Sequence, residues 1–221
     1  MYVIIVGLGG IGRNLVALAA EHGDNVVIVD QNEERANELL EKYDVMAVIG
    51  NATDKAILTD AGIDRAEAFI ATTHDDAVNL MSCWLAKRMK VPNVIAIVNH
   101  KEHSDFFKEV GVRVSEDPDE LVAARLYYWT LNPQLQQLAT IPGGRIFEIV
   151  AEEGSPAVDR QIRDMKVKDF VIIAVKRAGG EVIIPSGNIT IRAGDTLTIF
   201  TKKEDEEACL ALLNKQLRKA G

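Results

Sequence analysis

The first half of the chain alternates short apolar runs with longer segments whose apolar residues recur at helical spacing. The runs are YVIIV (2–6), NVVIV (25–29), MAVI (46–49), AFIA (68–71) and NVIAIV (93–98). A run that is apolar at nearly every position is typical of a strand covered by helices on both faces. This half therefore predicts a buried parallel sheet.

The segments between these runs predict the helices that connect the strands. They are IGRNLVALAAEHG, NEERANELLEKY, DKAILTDAG, DDAVNLMSCWLAKRMK and HSDFFKEVG, and VRVS (112–115) after the last of them predicts a sixth strand. Strand–helix alternation of this kind gives a doubly wound sheet with right-handed crossovers. Residues 1–117 are therefore predicted to form an α/β domain with a Rossmann-like, doubly wound parallel sheet.

The pattern changes at Glu116. Residues 118–133 predict a crossover helix or linker that begins at Pro118 and stops at Pro133, with acidic residues in its first turn. Its apolar residues are too numerous for a single stripe. The helix therefore either packs onto the sheet or docks against a second subunit.

Residues 134–221 predict a small α+β C-terminal domain. Its strands are RIFEIVAEE (145–153), FVIIAVKR (170–177), EVIIP (181–185) and DTLTIFTK (195–202), and EDEEACLALLNKQL (204–217) predicts a closing helix. Turn sequences rather than long helices separate these strands, and GG at 179–180 predicts a hairpin. So small a unit commonly needs a partner surface for stability.

Charge and composition narrow the possible functions. The net charge of −8 over 221 residues argues against a nucleic-acid partner. Cys83 and Cys209 lie far apart in the sequence without a metal-binding motif, which predicts neither a disulfide nor a metal site. The chain starts directly in a strand, and no apolar run approaches the ~20 residues that span a bilayer. These features predict a cytoplasmic protein.

A glycine-rich turn follows the first strand directly and opens the first helix. Residues 7–12 read GLGGIG, with glycine at positions 7, 9 and 12. In that context Gly7 permits a tight turn, Gly9 lets the backbone approach a pyrophosphate, and Gly12 allows close packing of helix on strand. The N-terminus of the following helix would bind the phosphates.

Further polar residues stand where the next strands end. Asp30 follows the second strand, where a carboxylate accepts hydrogen bonds from ribose hydroxyls and repels a 2′-phosphate, which favours NAD(H) or an adenine nucleotide over NADP(H). Asn51 and Ala52 follow the third strand and are expected beside the adenine, although Asn51 is alternatively a turn or N-cap residue. Thr72 and Thr73 follow the fourth strand, where the second half of a dinucleotide or a third phosphate would lie.

The residues expected of a dehydrogenase are missing. The four histidines (22, 74, 100 and 103) all lie in the first half without a nucleophile or an orienting partner, and the second domain has none. His74, in a loop beside the predicted site, is more typical of a solvated side chain than of a catalytic base. The sequence therefore predicts a protein that binds a nucleotide without turning it over, and an NAD-dependent oxidoreductase is the weaker alternative.

The segments GLGGIG, Asp30, IGNATD, AGIDRAEAFIATTHDDAVNLMSCWLAKRM and VIAIV together resemble the nucleotide-binding RCK (KTN) domain of the Trk/Ktr potassium-uptake regulators. The stretch from GSPAVD to DTLTIF is similar to their C-terminal RCK domain. The resemblance implies a regulatory subunit, peripheral at the inner face of the cell membrane, whose partner is an integral-membrane potassium transporter. It also implies NAD(H) or ATP/ADP as ligand, and a homo-oligomer in which dimers build a tetrameric or octameric ring. A cytoplasmic portion of a ligand-gated potassium channel is the alternative.

By this resemblance the phosphate-binding turn runs from Gly7 through Leu8, Gly9 and Gly10 to Ile11. The chain departs from the family at two positions. Many relatives have an arginine where this chain has Gly10, and another where it has Ile97. Both departures remove cations from the expected phosphate neighbourhood, which bears on the choice between ATP and NAD(H).

Overall fold

The two kinds of sequence pattern fold into two separate sheets. A computed structural model describes residues 1–131, 135–141, 143–165, 170–206 and 209–210. The chain divides into two compact units, Met1–Val122 and Ala123–Gly221.

The first unit is built on a six-stranded, wholly parallel sheet. Its strands are β1 (Tyr2–Val6), β2 (Asn25–Asp30), β3 (Met46–Ile49), β4 (Ala68–Ala71), β5 (Asn93–Val98) and β6 (Arg113–Glu116). The connecting helices are α1 (Gly10–Glu21), α2 (Glu33–Leu40), α3 (Lys55–Asp60), α4 (Asp76–Arg88) and α5 (Ser104–Glu109). Short 3₁₀ turns span Ile63–Arg65 and Lys101–His103.

The strand order is β3-β2-β1-β4-β5-β6, so the chain first winds outward from β1 and then crosses back to β4. In such sheets the reversal leaves a crevice at the carboxyl ends of the strands. Apolar residues on both faces of the central strands are buried, among them Ile4, Ile5, Ile28 and Phe69. This two-sided burial explains why the predicted strands are apolar at nearly every position.

The second unit is built on a five-stranded antiparallel sheet in the order β10-β9-β11-β8-β7. Its strands are β7 (Leu135–Ile141), β8 (Gly144–Val150), β9 (Phe170–Lys176), β10 (Val182–Ile183) and β11 (Thr196–Lys202). Phe147, Val175, Leu197 and Ile199 are fully buried in its core. The predicted fold class, a Rossmann-like sheet followed by a small α+β domain, is confirmed.

One strand of this second sheet escaped prediction. β7 pairs with β8 in antiparallel register, but the register shifts between Gln137 and Ala139. That irregularity breaks the alternation by which a strand is recognised in a sequence. The predicted closing helix (204–217) and the predicted helix stop at Pro133 fall mostly or wholly outside the described residues.

The crossover helix α6 (Pro118–Leu131) contributes Tyr128 to the second core. The Tyr128 hydroxyl donates to Glu206, whose other oxygen accepts from Nη1 of Arg145 at 2.6 Å. The Arg145 guanidinium also lies 4.9 Å from the centre of the Tyr128 ring. Within the ranges given above, none of the helices is both long and apolar enough to cross a bilayer.

Candidate nucleotide site

A cleft of about 860 Å³ lies at the carboxyl edge of the parallel sheet. It runs past the ends of β1, β2, β4 and β5. The predicted site residues that line it are Gly7, Leu8, Gly9, Gly10, Ile11, Asp30, Ala52, Thr72 and Thr73. The crevice that the strand order implies is therefore present in the first unit.

The glycine-rich turn between β1 and α1 is too tight for side chains at two of its positions. Gly7 has φ +87°, and a Cβ there would lie 2.8 Å from the backbone nitrogen of Thr73. A Cβ on Gly12 would lie 1.8 Å from the carbonyl oxygen of Gly7. Gly12 is thus packed beneath the turn rather than along the cleft, as its predicted role in helix–strand packing requires.

The N-terminus of α1 is open to an anion. Helix α1 begins at Gly10 with Gly9 as its N-cap, and its first turn carries no acidic residue. The first backbone N–H groups of any helix have no partner within the helix and carry partial positive charge. A Cβ built on Gly9 or Gly10 meets no described atom within 4 Å, so the ligand side of the turn is free. These features fit a bound pyrophosphate.

Asp30 braces the glycine-rich turn from the end of β2. Its Oδ2 accepts from the backbone N–H of Leu8 at 2.6 Å, and its Oδ1 accepts from the N–H of Asn32 at 2.8 Å. A carboxylate has about four acceptor positions, so each oxygen retains one for a ribose hydroxyl. Leu8 itself is fully buried, and its side chain packs in the core of the first unit.

The two residues predicted beside the adenine are placed differently. Ala52 lines the cleft and is 3% exposed. Asn51 is not among the lining residues, and its Oδ1 accepts from the backbone N–H of Thr53 at 3.0 Å. That contact is a turn interaction, the alternative considered for Asn51, and its role in recognising a base stays a prediction.

Thr72 and Thr73 line the cleft, but both hydroxyl groups bond within the protein. The Thr72 hydroxyl lies 2.8 Å from the carbonyl oxygen of Gly7 and 3.0 Å from that of Val6. The Thr73 hydroxyl donates to Oδ1 of Asn79 at 2.7 Å. These threonines therefore shape the cleft wall, and any ligand contact they make uses their remaining acceptor positions or backbone.

Asn79 was not predicted from the sequence. It is fully buried in the first turn of α4, accepts from the backbone N–H of Thr73 at 3.0 Å and donates to the carbonyl of Thr73 at 2.9 Å. Together with the hydroxyl contact, these bonds fix the loop between β4 and α4. A polar residue in an amphipathic helix gives no sequence signal of this role.

Asp76, which was also not predicted from the sequence, connects the loop between β4 and α4 to the end of β5. The buried Asp76 accepts at Oδ1 from the backbone N–H of Asn99 at 2.8 Å and from Nδ2 of Asn99 at 2.8 Å. Its Oδ2 accepts from the N–H of His100 at 3.0 Å and lies 2.8 Å from Nδ1 of His103. The prediction that no histidine has an orienting partner is therefore wrong for His103, which is not among the residues that line the cleft. Burial acts to raise the pKa of Asp76, but the hydrogen bonds from Asn99, His103 and His100 outweigh it and hold the pKa below its ordinary value.

Charge is unevenly distributed along the cleft. Asp75 and Asp119 line it in addition to Asp30, whereas Arg35 is the one permanent cation among its lining residues in the described chain. Ile97 and Gly10, which carry no charge, both line it. A third phosphate would therefore meet little positive charge here.

Family models match most of the chain. A TrkA-N domain covers residues 3–116, and a TrkA-C domain covers residues 146–214. The first match takes in the whole glycine-rich turn and all the strand ends of the cleft.

The chain is similar to Trk system proteins that differ in length. The chain is 35% identical to a Trk system potassium uptake protein TrkA homolog of Archaeoglobus fulgidus over 94% of its own length, and it spans 48% of that relative. It is 29% identical to the TrkA homolog of Methanothermobacter thermautotrophicus over 92% of its length and 95% of the relative.

Solved structures share the fold. The GsuK channel matches 97% of this chain with a TM-score of 0.66 and 20% identity, and the chain covers 39% of it. The GsuK channel bound to NAD matches with a TM-score of 0.62, also at 20% identity. At that identity the likeness is one of fold. The two domain matches place this chain in the TrkA family, with a TrkA-N domain followed by a TrkA-C domain.

Proposed function

We propose that this chain is a nucleotide-binding regulatory subunit of a potassium uptake transporter, located on the cytoplasmic side of the membrane, and that it is not an enzyme. The family and the names of its relatives support the potassium system. The observation that carries the nucleotide role is the glycine-rich turn, braced by Asp30 and opening onto the free N-terminus of α1.

The ligand we propose is NAD(H) rather than ATP or ADP. The glycine-rich turn would hold the pyrophosphate, and Asp30 would accept from the adenosine ribose. Three carboxylates and a single permanent cation line the described cleft, which disfavours a triphosphate because like charges repel. The structural neighbour bound to NAD supports this choice, while another, GsuK bound to ADP, keeps ADP as the second candidate.

The proposed mechanism is a conformational equilibrium that the ligand biases. Since a ligand shifts such an equilibrium only by its difference in affinity for the two states, NAD⁺ and NADH must bind them unequally. The change would pass to the membrane partner through a homo-oligomeric ring built from dimers. Exposed apolar residues on α6 support an oligomer: Leu121, Val122, Leu126 and Tyr127 are each more than half exposed.

A specific observation favours a second candidate, the cytoplasmic portion of a ligand-gated potassium channel. The GsuK channel matches nearly the whole chain, which covers 39% of that protein. An oxidoreductase is weaker, because His74 lines the cleft without a contact, in the described part of the chain, that would orient its ring for proton transfer.

Potassium uptake by cells of the source organism tests the proposal. Deleting the chain should lower uptake at limiting potassium, the wild-type chain should restore it, and Gly9→Ala, which places a methyl group on the ligand side of the turn, should not. Asn25→Ala, at the exposed start of β2 and so at the opposite edge of the sheet from the cleft, serves as the matched control and should restore uptake. Uptake unaffected by the deletion would contradict the potassium role, and full restoration by Gly9→Ala would contradict the nucleotide role.

A further inference from the structure

We propose that Asn99 selects a dinucleotide over a mononucleotide, by accepting a hydrogen bond from the second nucleoside of NAD(H). This inference rests on the proposed function and deepens it. Asn99 directly follows β5 and lines the cleft. Neither its position nor the family resemblance marked it in the sequence.

The position of Asn99 in the sheet places it far from the adenosine end of the cleft. Asp30 ends β2, and the order β2-β1-β4-β5 puts three strand spacings between β2 and β5. At about 4.8 Å per spacing, the two ends lie on the order of 14 Å apart. The glycine-rich turn after β1 lies between them. A nucleotide with its ribose at Asp30 and its pyrophosphate at the turn reaches Asn99 only through a further group beyond the pyrophosphate.

The Asp76 carboxylate fixes which way the Asn99 amide faces. Nδ2 of Asn99 lies 2.8 Å from Oδ1 of Asp76 and 3.2 Å from the carbonyl oxygen of Thr73, and both of these are acceptors. An amide oxygen in that place would be repelled by two oxygens, so the NH₂ group must occupy it. Asp76 holds this acceptor state because its pKa lies below the ordinary value.

The amide oxygen of Asn99 is consequently the group that remains for an occupant of the cleft. Both amide hydrogens are engaged inside the protein, and no residue in the described ranges donates to Oδ1 of Asn99. Asn99 is half-buried and lines the cleft.

A hydrogen-bond acceptor at this place distinguishes a nucleoside, which carries donors, from a terminal phosphate, which does not. A terminal phosphate has only acceptor oxygens at neutral pH and is repelled by the Asn99 oxygen and by the nearby carboxylates of Asp75 and Asp119. The second nucleoside of NAD(H) carries donors, namely ribose hydroxyls and a carboxamide NH₂. Asp76 is a positioning residue in this account, since it acts on the ligand through Asn99.

Calorimetric titration of ADP and NADH separates the two halves of the ligand, because the two share adenosine and pyrophosphate and differ in the second nucleoside. Asn99→Ala should weaken NADH binding by about tenfold, as expected for one lost hydrogen bond, and leave ADP affinity within about twofold. Asn99→Ser keeps a donor for Asp76 but shortens the side chain, and it should give the same selective loss if the alanine variant fails to fold. Asn25→Ala, at the exposed start of β2 and outside the cleft lining, should leave both affinities unchanged.

The ratio of NADH affinity to ADP affinity shows whether Asn99 selects the dinucleotide. A ratio that Asn99→Ala or Asn99→Ser leaves at the wild-type value overturns the role of Asn99, whether the two affinities stay constant or fall together. Wild-type protein that binds neither ligand overturns the proposed function itself. The two failures are therefore distinguishable.

Discussion

At the scale of single residues, Asp30 has a structural role and, in the proposed function, a binding role as well. It accepts from the N–H groups of Leu8 and Asn32 and so shapes the turn that would receive the pyrophosphate, while its remaining acceptor positions would bind the ribose. Removing the carboxylate therefore alters the turn as well as the ligand contact. The substitution tested at position 30 should therefore keep the size of the side chain.

Asp30→Asn should weaken NADH binding by about 10- to 100-fold, because hydrogen bonds to a charged group contribute roughly 1.5–3 kcal/mol. It should also lower the melting temperature without ligand, since an amide cannot accept at both former oxygen positions. Calorimetry and thermal denaturation measure the two effects. Asp54→Asn, at the N-cap of α3 and outside the cleft lining, is the matched control and should leave affinity unchanged. Wild-type affinity in Asp30→Asn would refute the ribose contact.

Asp76 predicts a dependence of stability on acid. Its pKa in the folded protein is lower than its ordinary value, so the carboxylate stabilises the fold above about pH 4 and this contribution is lost as the pH falls through the folded pKa. The melting temperature of Asp76→Asn should therefore lie well below that of wild type at pH 5, and the gap should narrow by pH 3. A gap of constant size would show that the Asp76 carboxylate contributes no ionic stabilisation.

Some residues of the site can be predicted from the sequence and others cannot, for a physical reason. The glycines and Asp30 stand at fixed distances within a strand–turn–helix unit, and each follows from local chain geometry. Asp76 and Asn99 act by a contact between segments distant in sequence, the 2.8 Å bond from Asn99 to Asp76, and Asn79 bonds back to Thr73 across the loop between β4 and α4. An aspartate or asparagine beside a helix start is usually a cap, so nothing local distinguishes these three.

At the scale of elements, the junction of β1 and α1 contains one glycine that the fold requires and another that the ligand site requires. Gly12 has no room for a methyl group, while a methyl group on Gly9 would meet no described atom within 4 Å. One substitution should therefore damage the fold and the other the ligand site.

Gly12→Ala should lower the free energy of unfolding by about 1–3 kcal/mol, because a Cβ would press on the backbone carbonyl of Gly7. Gly9→Ala should lower it by less than about 1 kcal/mol, the cost of a poorer N-cap, yet strongly reduce NADH affinity by occupying the pyrophosphate position. Urea denaturation and calorimetry of both variants check this. Wild-type affinity of Gly9→Ala for NADH would contradict the placement of the pyrophosphate at this turn.

Elements were predicted best where both faces of a strand are buried. All six parallel strands appear within about a residue of their predicted positions. The central strands β1, β2 and β4 are almost wholly buried, and burial on both faces leaves a continuous apolar signal. β7 was missed since its register shift interrupts the pattern, and β10 is shorter than the predicted run, covering Val182–Ile183. The antiparallel unit has one-sided strands, and its exposed positions, such as Val171 and Ile173, carry apolar residues that blur the alternation.

At the scale of the whole molecule, each unit has its own core and its own buried polar anchor. In the second unit Arg177 forms a buried ion pair with Asp195 and also donates to the carbonyl of Thr190. Asp195 is 2% exposed and accepts in addition from the backbone N–H of Arg192 at 2.8 Å. The ion pair thereby ties the turn before β11 to the end of β9.

Asp195→Ala should destabilise the second unit by about 3–5 kcal/mol, because it leaves the Arg177 charge buried without its partner. The first unit has a separate core, so affinity for ADP should stay at the wild-type value. Thermal denaturation and calorimetry measure the two. Glu204→Ala removes an exposed pair with Lys202 at 3.9 Å and should change stability by less than about 1 kcal/mol. Equal stability of Asp195→Ala and Glu204→Ala would contradict the anchoring role.

The proposed regulation depends on a nucleotide that biases a conformational equilibrium, and nucleotide binding to the wild-type chain tests it most directly. Calorimetric titration with NAD⁺, NADH, ATP and ADP under identical conditions gives the four affinities. We expect both dinucleotides to bind more tightly than ATP, with NAD⁺ and NADH differing from each other, since a redox signal requires unequal binding. Tighter binding of ATP, or no binding of any of the four, would contradict the proposed NAD(H) sensor.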